Sequence, residues 1–282
     1  MPVFAVPLCR VAAPVRGLAS VVLLMSLALA AAACDVSIGQ HLGNLTGQAT
    51  DEWTHSYPLA PGGVVRIGNT NGKVEVEGID GSTVEVRAER IARAATDDGA
   101  REMLPRMVIK EDHTPDLVSI ETERMSGIMI GVSTEVRYHV RVPRNATIEV
   151  TSSNGLIALA ALTGPVVART TNGGVSGKAL AGGVDARATN GGVNVEMASL
   201  GGGKVLLRTT NGGVALTLPE SAKADITASC TNGGISVTGG NIQVSEQSRR
   251  RFEGRLNGGG TAVDLQTTNG GIRLRTGSVS GT

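Results

Sequence analysis

Aromatic side chains are scarce in this sequence: the 282 residues include one Trp, two Tyr and two Phe, which together make up 2% of the chain. The formal net charge is only +1. A protein that binds nucleic acid needs positive charge for the phosphates and rings on which the bases can stack. The composition therefore excludes a nucleic-acid partner. The lack of an aromatic subsite also disfavours a β-helix enzyme that acts on carbohydrates, although that class stays open as a less favoured alternative.

Motifs that would carry chemistry are lacking as well. The four His residues occur singly, without a paired metal-binding spacing, at His41, His55, His113 and His139. His113 lies in the segment 111–116, which the sequence favours as a polar loop over a metal site. The glycine-rich turns contain none of the Asp residues that calcium-binding β-rolls place there. We therefore expect no enzyme activity, no metal and no small-molecule cofactor.

Only three cysteines are present, and their positions leave no pair for a disulfide. Residues 1–33 have the pattern of a lipoprotein signal peptide: Arg10 and Arg16 precede an apolar stretch, and a run of alanines then ends at Cys34. The sequence predicts that Cys34 is lipid-modified, with ordinary cleavage nearby and a free Cys34 as the alternative. Cys9 leaves with the signal peptide, so only Cys230 remains, as a buried filler.

The second half of the chain repeats the tripeptide Asn-Gly-Gly. Copies begin at Asn172, Asn190, Asn211, Asn232 and Asn269, and looser copies begin at Asn71 (Asn-Gly-Lys) and Asn154 (Asn-Gly-Leu). From Asn154 to Asn232 the successive spacings are 18, 18, 21 and 21 residues. Periods near 20 residues are typical of a stacked array in which one short unit cannot bury its apolar face alone.

Side chains alternate around each of these Asn residues. The positions six and four before the Asn are apolar, and the position two before it is small. Apolar residues resume three and usually five positions after the Asn, while the intervening positions hold mostly polar residues. This period of two on β-branched residues predicts strands with one buried face. The sequence therefore predicts an all-β, single-stranded parallel β-helix or solenoid with coils of about 18–21 residues.

The Asn falls on the inward parity, so we expect it at a corner with its amide directed inside. Stacked coils lie about 4.8 Å apart, which lets identical Asn side chains donate and accept along a ladder. The two following glycines would supply the positive φ of the corner. The predicted structural ladder comprises Asn71, Asn154, Asn172, Asn190, Asn211, Asn232 and Asn269.

Asn-Gly between alternating strands is also a strong signal for a two-residue β-hairpin. The alternative fold is therefore an antiparallel β-meander built from Asn-Gly hairpins. Such a meander needs another layer to cover its apolar face, and the sequence offers no helices for that purpose. A solenoid covers its own core, so the solenoid is favoured.

The domain organisation follows from these patterns. A flexible polar tether is predicted for residues 34–57, the β-solenoid domain for residues 58–276, and a C-terminal tail for residues 277–282. Irregular insertions are expected near residues 93–105 and 245–256. Thr96 could cap a short helix in the first insertion, and the second carries Arg249, Arg250 and Arg251.

A family resemblance rests on three stretches: residues 61–90, residues 138–147 and the Thr-Asn-Gly-Gly-Val repeats. They resemble a large bacterial family of β-strand-repeat domains of unknown function, also described as "putative adhesins". The likeness covers roughly residues 55–276. It implies a secreted, often lipid-anchored β-solenoid and supplies no catalytic residues.

One polar row on the predicted surface is basic. Arg169, Arg187 and Arg208 all lie three residues before an Asn, so they should stack on successive coils. Such a stripe could bind an anionic ligand and Arg249 to Arg251 could extend it, while a solvated face partly neutralised by Asp185 is the alternative.

From these features together we expect a non-catalytic, lipid-anchored β-solenoid of the bacterial cell envelope, periplasmic or surface-exposed, with an adhesin-like or scaffold role. Its partners would be a membrane, through the lipid anchor, and envelope polymers or other envelope proteins. An accessory component of an envelope-stress sensing system is the alternative function.

Overall fold

The computed structural model describes residues 45–125, 131–201 and 203–277. The predicted signal peptide, Cys34 and residues 34–44 of the predicted tether lie outside the described residues, as do residues 278–282 of the predicted tail. The described chain is almost entirely β-structure. The strands are β1 (Gly47–Pro58), β2 (Val64–Asn71), β3 (Val74–Ile79), β4 (Thr83–Ala94), β5 (Ile109–Thr114), β6 (Leu117–Thr122), β7 (Ser133–Pro143), β8 (Thr147–Asn154), β9 (Ile157–Ala160), β10 (Val166–Asn172), β11 (Val175–Leu180), β12 (Val184–Asn190), β13 (Val193–Met197), β14 (Val205–Asn211), β15 (Val214–Leu218), β16 (Ala224–Asn232), β17 (Ile235–Thr238), β18 (Ile242–Gln247), β19 (Arg251–Leu256), β20 (Thr261–Asn269) and β21 (Ile272–Thr276).

These strands form two sheets. Sheet I has ten strands in the order β1-β4-β7-β3-β9-β11-β13-β15-β21-β17. Sheet II has eleven strands in the order β18-β19-β16-β20-β14-β12-β10-β8-β2-β6-β5. Each Asn-Gly corner joins a strand of sheet II to the next strand of sheet I, so every repeat contributes one strand to each sheet.

The strands of successive repeats are parallel and in register. Val166 lies opposite Val184, and Asn172 lies opposite Asn190, in the pair β10–β12. The same alignment joins β12 to β14 and β8 to β10. Hairpins at the Asn-Gly corners would instead have paired the two strands that each corner joins, such as β10 and β11, antiparallel in one sheet. These strands lie in different sheets, so the meander alternative is wrong and the predicted solenoid is confirmed.

The core between the two sheets is filled by the inward rows that the parity predicts. Val65, Ile67, Val74 and Val76 are 0–1% exposed, and the equivalent residues of the other coils are buried in the same way. Ile235 and Val237 are only partly buried, because β17 is the last strand of sheet I and has no strand beyond it. Cys230 is buried and free at an inward small position.

The spatial order of the coils departs from the order along the chain. The last coil, β20–β21, lies between β14–β15 and β16–β17. At the other end, the first coil, β2–β3, lies between β6–β7 and β8–β9. Both the first and the last coil are therefore interior to the stack and contact parallel neighbours on either side.

Antiparallel strands cap both sheets at one end of the parallel stack and sheet II at the other end. β4 and β1 continue sheet I beyond β7, and β5 closes sheet II beside β6. At the opposite end, β19 pairs with β16, and β18 pairs with β19. Terminal units that differ from the repeat are what a solenoid needs, because an exposed strand edge invites pairing with another chain.

Two predictions about the irregular segments are corrected by these caps. Residues 47–57 are not a flexible tether: they belong to β1, which pairs with β4 along its whole length and buries Ala49 and Tyr57. The insertion at 245–256 is not irregular, since most of it belongs to the β18–β19 hairpin. The polar composition of both segments concealed strands that alternate one inward residue with outward polar ones.

The insertion near 93–105 contains the predicted short helix. Helix α1 (Asp97–Met103) begins after Thr96, whose side chain accepts a hydrogen bond from the Gly99 amide at 3.1 Å. A 3₁₀ turn over Leu104–Arg106 follows it. Within the described ranges, no helix has the length and apolar character needed to span a bilayer.

Candidate functional site

The seven Asn side chains form one continuous ladder along the corner. Six of the seven amide nitrogens, all but that of Asn71 at the start of the ladder, donate to the side-chain oxygen of the Asn on the adjacent coil, over 2.7–2.9 Å. The order in space is Asn71, Asn154, Asn172, Asn190, Asn211, Asn269 and then Asn232, because the last coil is interior. Every Asn in the middle of the ladder therefore makes two such bonds.

The ladder does not point inward, which corrects the prediction for its amides. Asn71 is half-buried and the other six Asn side chains are exposed. The strand pairing skips the residue before each Asn, so the corner breaks the alternation there and turns the Asn outward. The buried polar position is two residues earlier, where Thr209 donates to the Gly191 carbonyl at 2.7 Å.

Because the ladder is exposed, removing one Asn should cost only its net hydrogen bonds. For Asn190→Ala we expect a loss of about 1–2 kcal/mol in the free energy of unfolding, since two bonds of about 0.5–1.5 kcal/mol each disappear. Chemical denaturation measures this. Asn232→Ala is the control at the end of the ladder, where one bond is lost, and it should cost about half as much. A loss several times larger at Asn190 would show that its side chain satisfies polar groups that are buried in the folded protein.

The three Arg residues of the predicted basic stripe do stack on adjacent strands of sheet II. Arg169 lies opposite Arg187, and Arg187 lies opposite Arg208. Two carboxylates of the neighbouring row, in which Asp alternates with apolar residues, lie beside them. Asp185 is 2.9 Å from Arg187 and 3.6 Å from Arg169, and Asp264 is 3.0 Å from Arg208. Three guanidinium groups thus share two carboxylates, and the stripe keeps an excess of only one positive charge.

The proposed extension of the stripe is interrupted. Beyond Arg208 the same row continues with two neutral residues, Gln266 and Ser229, before it reaches Arg251. Arg251 pairs with Glu246 and Glu253. Arg249 and Arg250 lie in the turn between β18 and β19 and do not belong to the row.

A shallow groove of about 760 Å³ runs between this Arg row and the exposed Thr row that precedes the Asn ladder. Its walls include the three Arg residues of the stripe and Thr171, Thr189 and Thr210. Guanidinium and hydroxyl groups repeat along it at the coil spacing of about 4.8 Å. The groove therefore offers a regular polar surface whose positive charge is largely compensated by the two neighbouring carboxylates.

A second cluster of polar and aromatic side chains lies on β1 and β5, the strands that end the two sheets. The sequence analysis did not predict this cluster. Trp53, His55 and Tyr57 alternate along β1, and the rings of Trp53 and His55 stack with centroids 4.2 Å apart. On β5, Glu111 accepts a hydrogen bond from Tyr57 and lies 2.8 Å from His55 Nδ1. The ring of His113 is 5.3 Å from that of Tyr57. The cluster joins the terminal strand of sheet I to the terminal strand of sheet II.

The electrostatics of this cluster favour an ionised Glu111. The hydrogen bond from Tyr57 lowers the pKa of Glu111, and His55 acts in the same direction. Burial and the neighbouring carboxylate raise the pKa of Tyr57, so its hydroxyl stays a donor. These contacts connect the edge strand β1 of sheet I to the edge strand β5 of sheet II.

In the described part of the chain, no group of three or more His, Cys, Asp or Glu side chains is placed to hold a metal ion.

The lowered pKa of Glu111 predicts a pH-dependent contribution to stability. A carboxyl whose pKa is lower in the folded state stabilises the protein above its unfolded-state pKa of about 4.3, and this contribution disappears as the pH falls through the folded-state value. Glu111→Gln should therefore lower Tm at pH 7, and the difference from the unmodified protein should shrink towards pH 3. Thermal unfolding across that range measures it, with Glu121→Gln on β6 as the control. A difference that does not vary with pH would contradict the prediction.

One signal in the sequence could have revealed this cluster. Trp53, His55 and Tyr57 follow one another at a spacing of two, which is strand periodicity inside a segment interpreted as a tether. His113 stands at the same parity as Glu111, inside a segment interpreted as a loop. The nearest cluster members of the two segments, Tyr57 and Glu111, are 54 residues apart in sequence. Their contact depends on which strands end the two sheets, and the sequence does not disclose that.

Comparison with known families identifies the repeat domain. A family model described as Toastrack DUF4097 matches residues 64–275, which is most of the chain. The chain belongs to the Toastrack family. The Toastrack match begins at β2 and ends within β21, so it spans all the parallel coils and leaves β1 outside. It is a domain of unknown function, and membership brings no catalytic residues with it.

Several solved structures are similar to this Toastrack chain. One, described as a "putative cell adhesion protein" from Clostridium sporogenes, has 11% identity and a TM-score of 0.46, covering 80% of this chain and 100% of that one. A "putative adhesin" from Bacteroides fragilis has 8% identity and a TM-score of 0.33, covering 80% and 97%. A "putative adhesin" from Parabacteroides merdae has 11% identity and a TM-score of 0.27, covering 84% and 98%. No match is found among curated proteins.

Proposed function

We propose that this protein is a non-catalytic binding module of the bacterial cell envelope, held at a membrane by a lipid on Cys34. It presents its sheets to another envelope component, in an adhesin-like or scaffold role. The observation that carries the proposal is the exposed polar surface that repeats in register. Asn, Thr and Arg rows run along adjacent coils of sheet II and face solvent.

Repetition of surface residues at a fixed spacing suits a partner that is itself extended. Each additional coil adds the same set of amide, hydroxyl and guanidinium groups, so weak contacts accumulate along the stack. Catalysis calls for a different arrangement, in which a few groups converge on one reacting atom. The rows of sheet II do not converge, because neighbouring coils hold equivalent side chains parallel and about 4.8 Å apart.

Lipid attachment at Cys34 is the second part of the proposal. The basic, apolar and small-residue segments that precede Cys34 are those of a lipoprotein signal. Two or more acyl chains would hold the protein stably at a membrane without a spanning helix. About ten residues would then separate the lipid from the first described residue, so the solenoid would work close to the lipid surface.

Protease accessibility on intact cells tests location and anchoring together. Native protein and a Cys34→Ala variant are expressed, the cells are treated with protease, and the solenoid is followed by immunoblot before and after the outer membrane is opened. We expect the native protein in the membrane fraction and the Cys34→Ala protein released from it. Digestion in intact cells would support the adhesin-like role.

The contrary outcomes are equally informative. Protection until the outer membrane is opened would contradict surface adhesion and leave a periplasmic scaffold or an envelope-stress accessory role. Membrane retention of the Cys34→Ala variant would contradict the lipid anchor. The measurement does not depend on which ligand the sheets bind, so it can fail independently of the ligand proposal made below.

A further inference from the structure

A group of basic side chains on the outer face of sheet I has no acidic partner. Lys178 on β11 and Arg273 and Arg275 on β21 are exposed, and among the described residues none of the three forms an ion pair. The Arg residues of sheet II differ in this respect, since each member of the predicted stripe contacts Asp185 or Asp264. The sheet I group is therefore not compensated by ion pairs, whereas the stripe that the sequence indicated is largely compensated.

The coil order brings these side chains together. Arg273 and Arg275 lie opposite Ala215 and Thr217 of β15, and those residues lie opposite Asn194 and Glu196 of β13. Lys178 is on β11, the next strand. If the coils stacked in chain order, β17 would occupy the place of β21 and put Ser236 and Thr238 there. The cluster exists because the last coil is inserted beside β15.

The side chains surround a depression of about 260 Å³ on the outer face of sheet I. Lys178, Asn194, Glu196, Thr217, Arg273 and Arg275 contribute to its lining. Three positive charges face one negative charge, so the depression keeps an excess of two. The amide of Asn194 and the hydroxyl of Thr217 add neutral hydrogen-bonding groups, and Ala215 contributes only a methyl group to the lining. Guanidinium groups bind carboxylates in a bidentate manner.

This depression opens into a longer groove along the glycine corner. The groove has a volume of about 730 Å³ and shares Asn194, Ala215 and Arg273 with the depression. Its other lining includes Ser176 and Ser236, which offer hydroxyl groups. An extended chain can therefore lie along the corner while an acidic substituent reaches the basic residues. No Trp, Tyr or Phe lines either cavity, so bases of a nucleic acid would have nothing to stack on.

We propose that the depression between β11 and β21, which we call the sheet I basic site, binds the carboxylate of an acidic, extended glycan. Arg273 and Arg275 hold the carboxylate, Lys178 provides long-range attraction, and the groove at the glycine corner holds neighbouring sugars through Ser176, Asn194 and Ser236. The proposal rests on the proposed binding function and specifies its ligand. It adds a charged contact on sheet I to the polar rows that sheet II presents.

Calorimetric titration with polygalacturonate, whose sugars each carry a carboxylate, tests the site. The purified, detergent-solubilised protein is compared with the double variant Arg273→Gln/Arg275→Gln at low salt and at 0.15 M salt. We expect the double variant to bind at least about tenfold more weakly, because two charge-assisted contacts are lost. The matched control is Arg249→Gln/Arg250→Gln, which removes two exposed Arg residues from the turn between β18 and β19, outside both the sheet I basic site and the rows of sheet II, and should change Kd less than about twofold. Both double variants should keep the unfolding midpoint of the original, because the substituted side chains are exposed.

Three results would overturn the proposal. The first is an absence of polygalacturonate binding by the unmodified protein at low salt. The second is an equal loss of affinity in both double variants, which would show non-specific attraction to positive charge. The third is binding of polyphosphate with no binding of polygalacturonate, which would make the ligand a phosphate polymer. Neutral dextran should not bind. The assay uses purified protein, so its outcome is independent of where the protein is anchored in the cell.

Discussion

Gly191→Ala should lower the free energy of unfolding by about 3 kcal/mol or more. Gly191 is the first glycine of its Asn-Gly-Gly corner and has φ +153°, a conformation that side chains rarely adopt. A Cβ placed there would lie 1.9 Å from the carbonyl oxygen of Gly173 on the adjacent coil. That oxygen is backbone and cannot move aside, so the two coils would have to separate. Denaturant unfolding monitored by circular dichroism measures the loss.

The second glycine of the same corner supplies the control. Gly192 does not have a positive φ, and a Cβ there would lie 3.3 Å from the carbonyl oxygen of Gly213. We expect Gly192→Ala to cost less than about 1 kcal/mol. The chain itself accepts side chains at this position, since Lys73 and Leu156 occupy it in two coils. Equal costs for the two variants would contradict the assignment of the close contact to the first glycine.

Leu265→Asp should unfold the coil that contains it and also the neighbouring coil and hairpin beyond it. Leu265 is fully buried between Leu207 and Ala228 on the neighbouring strands β14 and β16. An unpaired carboxylate at this depth costs at least about 4 kcal/mol. Because the last coil is interior, its loss should also detach β16–β17 and the β18–β19 hairpin. Hydrogen exchange should therefore show reduced protection across residues 224–256 as well as 261–276.

Two comparisons decide how the Leu265 result is interpreted. Gln266→Asp places the same carboxylate on the exposed side of the same strand and should leave protection almost unchanged. If Leu265→Asp reduced protection only within residues 261–276, the last coil would behave as a terminal unit, which contradicts the interior position. Retained protection in β8 to β13 is expected in either case, because each coil contacts only its neighbours.

The inward rows were predictable residue by residue, and the outer polar rows almost as well. Val166, Ala168 and Thr170 are buried on β10, as the period of two predicts. The Asn was assigned inward on the same reasoning and is exposed. The reason is local: the pairing skips the residue before the Asn, so the alternation that holds along a strand does not continue through the corner.

The cluster at the β1–β5 end and the basic cluster on sheet I could not have been predicted in the same way. Both combine residues that are distant in sequence and lie on strands that are not consecutive along the chain, β1 with β5 and β11 with β21. Arg273 and Lys178 line one depression from strands separated by β15 and β13, and His55 contacts Glu111 across two different sheets. No spacing within a single strand signals either contact.

The sequence by itself determined the repeating unit of this protein: which strand residues face the core and where each corner lies. It could do so because these properties depend only on alternation along a strand and on contacts between equivalent residues. Only the tertiary structure decided the order of the coils. Coils with the same pattern can stack on one another in any order, so their own residues leave that order open. The non-repeating strands fix it. The antiparallel strand β19 covers one edge of β16, so the β16 coil ends the parallel stack, while both edges of β20 pair with parallel strands and its coil lies inside. The sheet I basic site follows from that order.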